Sequence, residues 1–136
     1  LSYDFNNEVL YNASIGKSKN IKTFIMDSNV VVGVGNIYAS ESLFLAGISP
    51  KRVSGKTSKS RYETLTKSIK KILTDAINNG GTTLNDFSNV DGSPGYFAQI
   101  LSVYDRDGMP CMRCNGKIKR IIQNQRATYY CPKCQN

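Results

Sequence analysis

The sequence contains no histidine, which excludes catalytic triads and general bases that depend on an imidazole. No close pair of carboxylates stands out either, because Asp105 and Asp107 flank Arg106 in what is typically a solvated turn. No apolar run approaches the roughly 20 residues needed to cross a bilayer, and no secretory signal peptide opens the chain. We therefore expect a cytoplasmic protein without a membrane segment, and these residues alone indicate no active site.

Acidic residues are scarce relative to basic ones, at 10 against 18 in 136 residues, which gives a net charge of +8. The excess is concentrated after residue 103, where seven basic side chains face only Asp105 and Asp107. This balance favours a polyanionic partner, nucleic acid before a membrane surface. A basic domain without such a partner is the alternative.

The stretch VVVGVGNIYASE, residues 30–41, places two glycines around Val34 after a β-branched run. It lacks the third glycine of a dinucleotide fingerprint and the Lys-Ser/Thr of a phosphate-binding P-loop. Neither nucleotide-binding motif is therefore present. Residues 36–46 resume a helical pattern, which Gly47 ends.

Apolar periodicity predicts four helices in the first 80 residues, at 4–15, 21–28, 36–46 and 59–78. Asp4 is the predicted N-cap of the first helix and Gly16 its stop, whereas Ser58 or Ser60 caps the last. The last helix carries an apolar stripe of Leu65, Ile69, Ile72, Leu73 and Ala76.

Residues 80–98 are rich in Gly, Ser, Asn and Asp and predict a long irregular loop, either mobile or functional. The following residues, 99–104, predict a short strand. We place a boundary there, between a helical domain of residues 1–101 and a small β module of residues 102–136.

All four cysteines lie in that module, as two C-x-x-C pairs separated by sixteen residues: Cys111, Cys114, Cys131 and Cys134. This spacing predicts one tetrahedral Zn²⁺ site, structural because four thiolates leave no open position. The intervening residues predict a hairpin, with Ile118, Ile121 and Tyr129 over the ion and Lys119, Arg120 and Arg126 pointing elsewhere. Two disulfides or an iron–sulfur cluster are the alternatives.

Three blocks together resemble one family: GVGNIYASESLFLAGISP (33–50), GGTTLNDFSNVDGSPGYFAQILSVYDRDGMPC (80–111) and QRATYYCPKCQ (125–135). The chain is similar to the C-terminal portion of the bacterial formamidopyrimidine-DNA glycosylases. The resemblance implies a mainly α fold with a small β module, a helix-two-turns-helix domain followed by a four-cysteine zinc-finger β-hairpin. DNA would lie between this lobe and an N-terminal β-sandwich.

The resemblance also implies a function for the intact protein. It would excise oxidised purines, such as 8-oxoguanine and formamidopyrimidines, and cleave the abasic strand by β- and δ-elimination. Its partners would be double-stranded DNA with an oxidised purine or abasic site and its own N-terminal catalytic lobe, in a monomer associated with the bacterial nucleoid. The family's N-terminal proline, catalytic glutamate and hairpin lysine have no counterpart here, so we expect this chain to bind DNA without catalysis.

Residue by residue, the resemblance assigns Lys22 to the DNA near the lesion, Asn36 to a phosphate beside the flipped nucleotide and Arg126 to clamping phosphates. The alternatives are a surface lysine, a plain helix N-cap and a solvated strand arginine. Gly33 and Gly35 would let the DNA backbone approach, or serve turn geometry alone.

Three further expectations concern less specific positions. Thr82 and Thr83 would contact the extruded base from the lesion loop, residues 80–98. Glu41 would be structural and brace the helix pair. Phe5, Val9 and Leu10 are candidates for an apolar face left for the missing lobe. A different class of function also stays open, namely a stand-alone zinc-ribbon module that binds nucleic acid or protein.

Overall fold

The computed structural model describes residues 7–27, 35–78 and 101–136. Several sequence-based expectations fall outside these residues: the Asp4 cap, Phe5, Gly33, and the loop 80–98 with Thr82 and Thr83.

Four α-helices occupy the first two described ranges: α1 (Asn7–Ser14), α2 (Ile21–Met26), α3 (Asn36–Ala46) and α4 (Lys59–Asn78). A single 3₁₀ turn, Ser54–Lys56, precedes α4. The bounds of α3 and α4 agree with the prediction, whereas α2 ends two residues earlier than predicted. None of the helices in the described residues has the length and apolar character that a bilayer span requires.

The helix ends are set by local side-chain and backbone chemistry. Gly47 adopts the left-handed conformation, with φ of 74°, and the Ile48 amide donates to the carbonyl of Leu43 at 3.0 Å, which closes α3. Of the two serines considered for α4, Ser58 is the cap, because its Oγ accepts the Arg61 amide at 3.2 Å. Asn20 caps α2 in the same way, at 2.8 Å from the Thr23 amide.

The helices share one apolar core, in which α4 packs against α1 and α3. Leu65 and Ile69 of the predicted α4 stripe are fully buried. The ring of Tyr62 meets that of Phe24 edge-on at 6.1 Å between centroids. Leu10 is completely buried in this core, so its assignment to an exposed apolar face is wrong.

A β-hairpin forms the second module, with β1 (Lys119–Gln123) antiparallel to β2 (Arg126–Tyr130). Asn124 and Gln125 join the strands with φ of 49° and 65°, the conformation of a type I′ turn. The observed architecture, a helical domain followed by a cysteine-bearing hairpin, confirms the predicted fold class.

The strand predicted at 99–104 is wrong over the described residues 101–104, which form bends and a turn. Their amides bind a side chain of α3 instead of a partner strand. Leu101 packs on the helical core, while Val103 is buried with the hairpin residues. A domain boundary between residues 101 and 102 stays a prediction.

Candidate metal centre and nucleic-acid interface

The four cysteine sulfurs converge at one point of the hairpin module, all within 4.8 Å of one another. The Sγ atoms of Cys111 and Cys134 lie 3.7 Å apart, and those of Cys114 and Cys131 lie 3.5 Å apart. Thiolates on a tetrahedral zinc, at Zn–S of about 2.3 Å, lie about 3.8 Å apart, whereas a disulfide joins sulfurs at about 2.0 Å. The donor set therefore fits one structural Zn²⁺ and not two disulfides.

Backbone amides and apolar side chains complete the surroundings of the metal centre. The amides of Arg113 and Gly116 donate to the sulfurs of Cys111 and Cys114, at 3.4 and 3.2 Å. Ile118 and Tyr129 are buried beside the cysteines as predicted, and Ile121 is only half-buried. The predicted outward side chains Lys119, Arg120 and Arg126 are exposed.

Each cysteine pair is also fastened to the C-terminal end of α3. The Arg113 guanidinium lies 4.5 Å over the Phe44 ring and donates to the Phe44 carbonyl at 2.9 Å. Buried Gln135 accepts the Cys131 amide at 2.7 Å and donates to the Ile48 carbonyl at 2.9 Å. The metal centre and the helical domain are thus joined by specific contacts.

Lys22 and Asn36, two of the predicted DNA-binding residues, are in direct contact between α2, α3 and β2. The Lys22 amine donates to the Asn36 side-chain oxygen and, at 2.7 Å, to the Thr128 hydroxyl. The Asn36 amide group donates to the Ala127 carbonyl at 2.9 Å. The lysine is only 1% exposed, so the alternative of a surface lysine is wrong. The alternative that Asn36 is a plain N-cap is also wrong, because Gly35 occupies the N-cap position of α3.

Arg126, the first residue of β2, lies close to Lys22 and Asn36, and the three residues are called the cluster below. With Lys22, Arg126 lines a cavity of about 320 Å³, and the other described residues around this cavity are Lys19, Thr23, Met26, Asp27, Gln123 and Asn124. Burial, and then the charge of Arg126, lowers the pKa of Lys22 to about 8. Among the described residues, the Lys22 amine donates only to neutral oxygens and has the cation of Arg126 nearby, an arrangement that an anion would stabilise.

Glu41 has a structural role, as expected, but with a different partner. Its carboxylate is buried and accepts the amides of Ser102, Val103 and Tyr104 at 2.7, 2.8 and 2.9 Å. Burial raises the pKa of this carboxyl, and the three amide donors act in the opposite direction. Glu41 therefore fixes the segment before the metal centre to α3 rather than bracing the helix pair.

Two family models cover most of the chain. Residues 1–88 match the formamidopyrimidine-DNA glycosylase H2TH domain, and residues 108–136 match a zinc finger found in FPG and IleRS. The chain belongs to the formamidopyrimidine-DNA glycosylase family. The zinc-finger match agrees with the sulfur geometry described above.

Relatives of this glycosylase family align along nearly the whole chain. The formamidopyrimidine-DNA glycosylase of Ruthia magnifica is 63% identical over 96% of this chain and 49% of its own length, and that of Vesicomyosocius okutanii is 58% identical over 99% and 50%. The Lactococcus lactis Fpg in complex with abasic-site DNA superimposes with a TM-score of 0.87 at 33% identity, over 99% of this chain and 49% of that chain. The Thermus thermophilus protein gives 0.88 at 33%, over 99% and 52%. The chain thus spans about half the length of the relatives it matches.

Two residues that contact this cluster, Thr128 and Tyr104, were not predicted from the sequence. Thr128 is fully buried, and its hydroxyl accepts a hydrogen bond from the Lys22 amine. The Tyr104 side chain interacts with Asn36 and packs edge-on against Tyr129, with ring centroids 5.0 Å apart. The one available signal is position, since Thr128 follows Arg126 by two residues and therefore shares its face of the strand.

Proposed function

We propose that this chain is the DNA-binding portion of a base-excision repair enzyme, and that Lys22, Asn36 and Arg126 hold the phosphates beside the damaged nucleotide. One observation carries the proposal: Lys22 is almost fully buried, its amine donates only to neutral oxygens among the described residues, and it lines a cavity together with Arg126. A buried cation without a carboxylate partner is unfavourable unless an anion completes the site. A DNA phosphate supplies that anion.

The start of α3 adds to the attraction for a phosphate. The first amides of a helix lack partners within the helix, and the helix dipole places partial positive charge there. Asn36 is the first residue of α3, so the side chain that contacts Lys22 belongs to the residue at which this positive end of the helix begins.

Gly35 supports a close approach of the ligand to this helix start. Its φ of −88° is accessible to any residue, and a Cβ built on it would meet nothing within 4 Å. Neither backbone conformation nor packing against the described residues therefore requires glycine at this position. The space that the described residues leave in front of Gly35 suits the backbone of a DNA strand.

The activity of the whole protein is part of this proposal. We infer that it excises oxidised purines and cleaves the resulting abasic strand, and that it does so in the bacterial cytoplasm, at the nucleoid, as a monomer. The chemistry would come from an N-terminal lobe, and Thr82 and Thr83 of the lesion loop would contact the extruded base. The relatives' names and the DNA complexes of the Lactococcus lactis protein support this inference.

Replacement of Asn36 or Arg126 by alanine is expected to weaken binding to an abasic-site duplex by about tenfold or more. Each change removes a hydrogen bond to a charged group, worth about 1.5–3 kcal/mol. Gel shifts with purified chain would measure the loss. Arg120→Ala on the neighbouring strand and Asn12→Ala on α1 are matched controls, because both residues are exposed and lie outside the cluster.

Unchanged affinity in both cluster variants would refute the assigned contacts. Equal affinity of the wild-type chain for abasic-site DNA, undamaged DNA and RNA would favour the stand-alone zinc-ribbon module. The same reactions report on chemistry, and strand cleavage at 8-oxoguanine would contradict a purely binding role for this chain.

The affinity for DNA should also fall as the pH rises through about 8, where Lys22 of the free protein loses its proton. One linked proton allows a change of at most about tenfold per pH unit. Fluorescence anisotropy across this pH range would show the decline in affinity. The Lys22→Gln variant should bind DNA more weakly, and its affinity should not decline with pH in this range. Tyr104 does not interfere, because burial raises its pKa.

Unfolding of the chain would not produce the same decline in affinity, because the titration of Lys22 makes the folded chain more stable, not less, as the pH rises. The pKa of Lys22 is lower in the folded chain than the ordinary value of 10.5. Between these two values the unfolded chain binds more protons, so the contribution of Lys22 to stability rises with pH. A pH-independent affinity in the wild-type chain would argue against a role for the Lys22 charge.

A further inference from the structure

Two basic loops, defined here as the paired loops of residues 15–20 and 49–57, are joined through their backbones. The amides of Gly55 and Ser54 donate to the carbonyls of Lys17 and Lys19, each at 3.0 Å. The Ser54 hydroxyl adds a bond to the Lys19 carbonyl at 2.7 Å, and Asn20 pairs with Val53 in an isolated bridge. The two segments therefore form one rigid surface.

Gly55 shows how closely the paired loops approach each other. A Cβ at this position would collide with the carbonyl oxygen of Lys17 and would lie 3.1 Å from that of Ser14. Both neighbours are backbone atoms, so a larger residue would have to push the loops apart. The close approach brings the charges of the two loops onto a common surface.

That surface carries five basic side chains: Lys17, Lys19, Lys51, Arg52 and Lys56. Within the described residues, only Lys19 among them forms an ion pair, with Asp27 at 3.9 Å. Lys17, Lys51 and Lys56 are exposed. Such a concentration of like charge is unfavourable in isolation and favours a polyanionic partner.

The paired loops are continuous with the proposed phosphate site. The Ile21 amide, next to Lys22, donates to the Arg52 carbonyl at 2.8 Å, and the Gln123 side chain donates to the Pro50 carbonyl at 3.0 Å. Lys19 lines the same cavity as Lys22 and Arg126. On the other side, Lys51, Arg52 and Lys56 border a second open cavity of about 510 Å³ next to Tyr130.

We propose that the paired loops bind backbone phosphates of the duplex that flanks the damaged nucleotide. This inference rests on the proposed function, since it extends the same DNA beyond Lys22, Asn36 and Arg126. A duplex presents a regular row of phosphates leading away from the lesion. Basic side chains of the paired loops continue from the cavity of Lys22 and Arg126, which Lys19 also lines, to the second cavity, which Lys51, Arg52 and Lys56 border. The contact is independent of base sequence and of the type of damage.

The test uses the double variant Lys17→Gln/Lys56→Gln, which changes one lysine in each loop. Its control is the double variant Lys67→Gln/Lys71→Gln on α4, which removes the same charge from other exposed positions. The salt dependence of binding is measured on two abasic-site duplexes. One covers only the immediate neighbours of the lesion, and the other is extended by a helical turn at each end. On the extended duplex, we expect the slope of log affinity against log salt to fall by about 0.9 for each loop lysine removed. On the short duplex, and in the α4 variant, it should stay at the wild-type value.

Three outcomes would overturn the proposal: a wild-type slope for the loop variant on the extended duplex, an equal fall on both duplexes, or an equal fall in the α4 variant. Each of them can occur while the wild-type chain still prefers abasic-site DNA, so the inference can fail without the proposed function. Gly55→Ala provides a second check that removes no charge. If it separates the loops, it should reduce the slope on the extended duplex in a chain that still unfolds cooperatively, and an unchanged slope would count against the rigid surface.

Discussion

A chain with Cys114 replaced by serine is expected to lose its zinc, the fold of its hairpin and nearly all of its affinity for DNA. Binding of a structural zinc supplies about 10–16 kcal/mol in small zinc-finger peptides. A module of this size cannot offset the loss by apolar burial. Because β2 carries Arg126 as well as the partners of Lys22 and Asn36, the affinity should drop by about a hundredfold or more, the product of two lost charged contacts.

Metal analysis should give one zinc per wild-type chain and none in the variant, and gel shifts would measure the affinity. Met112→Ser is the matched control, since Met112 lies between two ligands but is 66% exposed. It should keep both zinc and DNA binding. The helical circular dichroism of Cys114→Ser should largely persist, because the apolar core of α1 to α4 contains none of the cysteines. Full DNA binding without zinc would disprove the structural role of the metal.

Replacement of Glu41 by alanine is expected to have the second-largest effect, a destabilisation of about 3 kcal/mol or more. The substitution leaves the amides of Ser102, Val103 and Tyr104 without their acceptor, and each unsatisfied buried group costs about 1–3 kcal/mol. Glutamine should cause a smaller loss, because it retains one acceptor oxygen.

Thermal unfolding would reveal this as a fall in melting temperature on the order of 10 °C. Glu63→Ala is a suitable control, because Glu63 is a half-exposed glutamate of α4. DNA binding should weaken in Glu41→Ala even below its melting temperature, since Tyr104 interacts with Asn36. Equal melting temperatures for the two alanine variants would show that the three amides find other partners.

Local patterns were sufficient to predict α3, α4 and the metal ligands. A long apolar stripe with a serine before it defines α4, and a left-handed glycine defines the end of α3. The cysteine spacing depends only on how four thiolates surround one ion. In each case, the cause of the structure lies within a few residues or in a fixed coordination geometry.

The features that were not predicted depend on contacts between residues far apart in the sequence. The buried position of Lys22 depends on Thr128, which is 106 residues away in sequence, and lysine is otherwise almost always exposed. The alternation in residues 101–104 is typical of a strand, but the Glu41 carboxylate takes up three consecutive amides that a partner strand would need. A single sequence gives no indication of either partner.

The two ends of α3 are both tied to the hairpin module, at Asn36 through the Ala127 carbonyl and at Phe44 through Arg113. The helix, about 16 Å long at 1.5 Å per residue, therefore holds the two modules in a fixed relative position at both of its ends. A hinge between the modules would have to break both attachments at once, together with the Gln135 bond to Ile48. Lys22, Asn36 and Arg126 consequently keep a fixed position relative to both the metal centre and the helical core, so any hinge motion that involves this chain has to occur outside α3 and the hairpin.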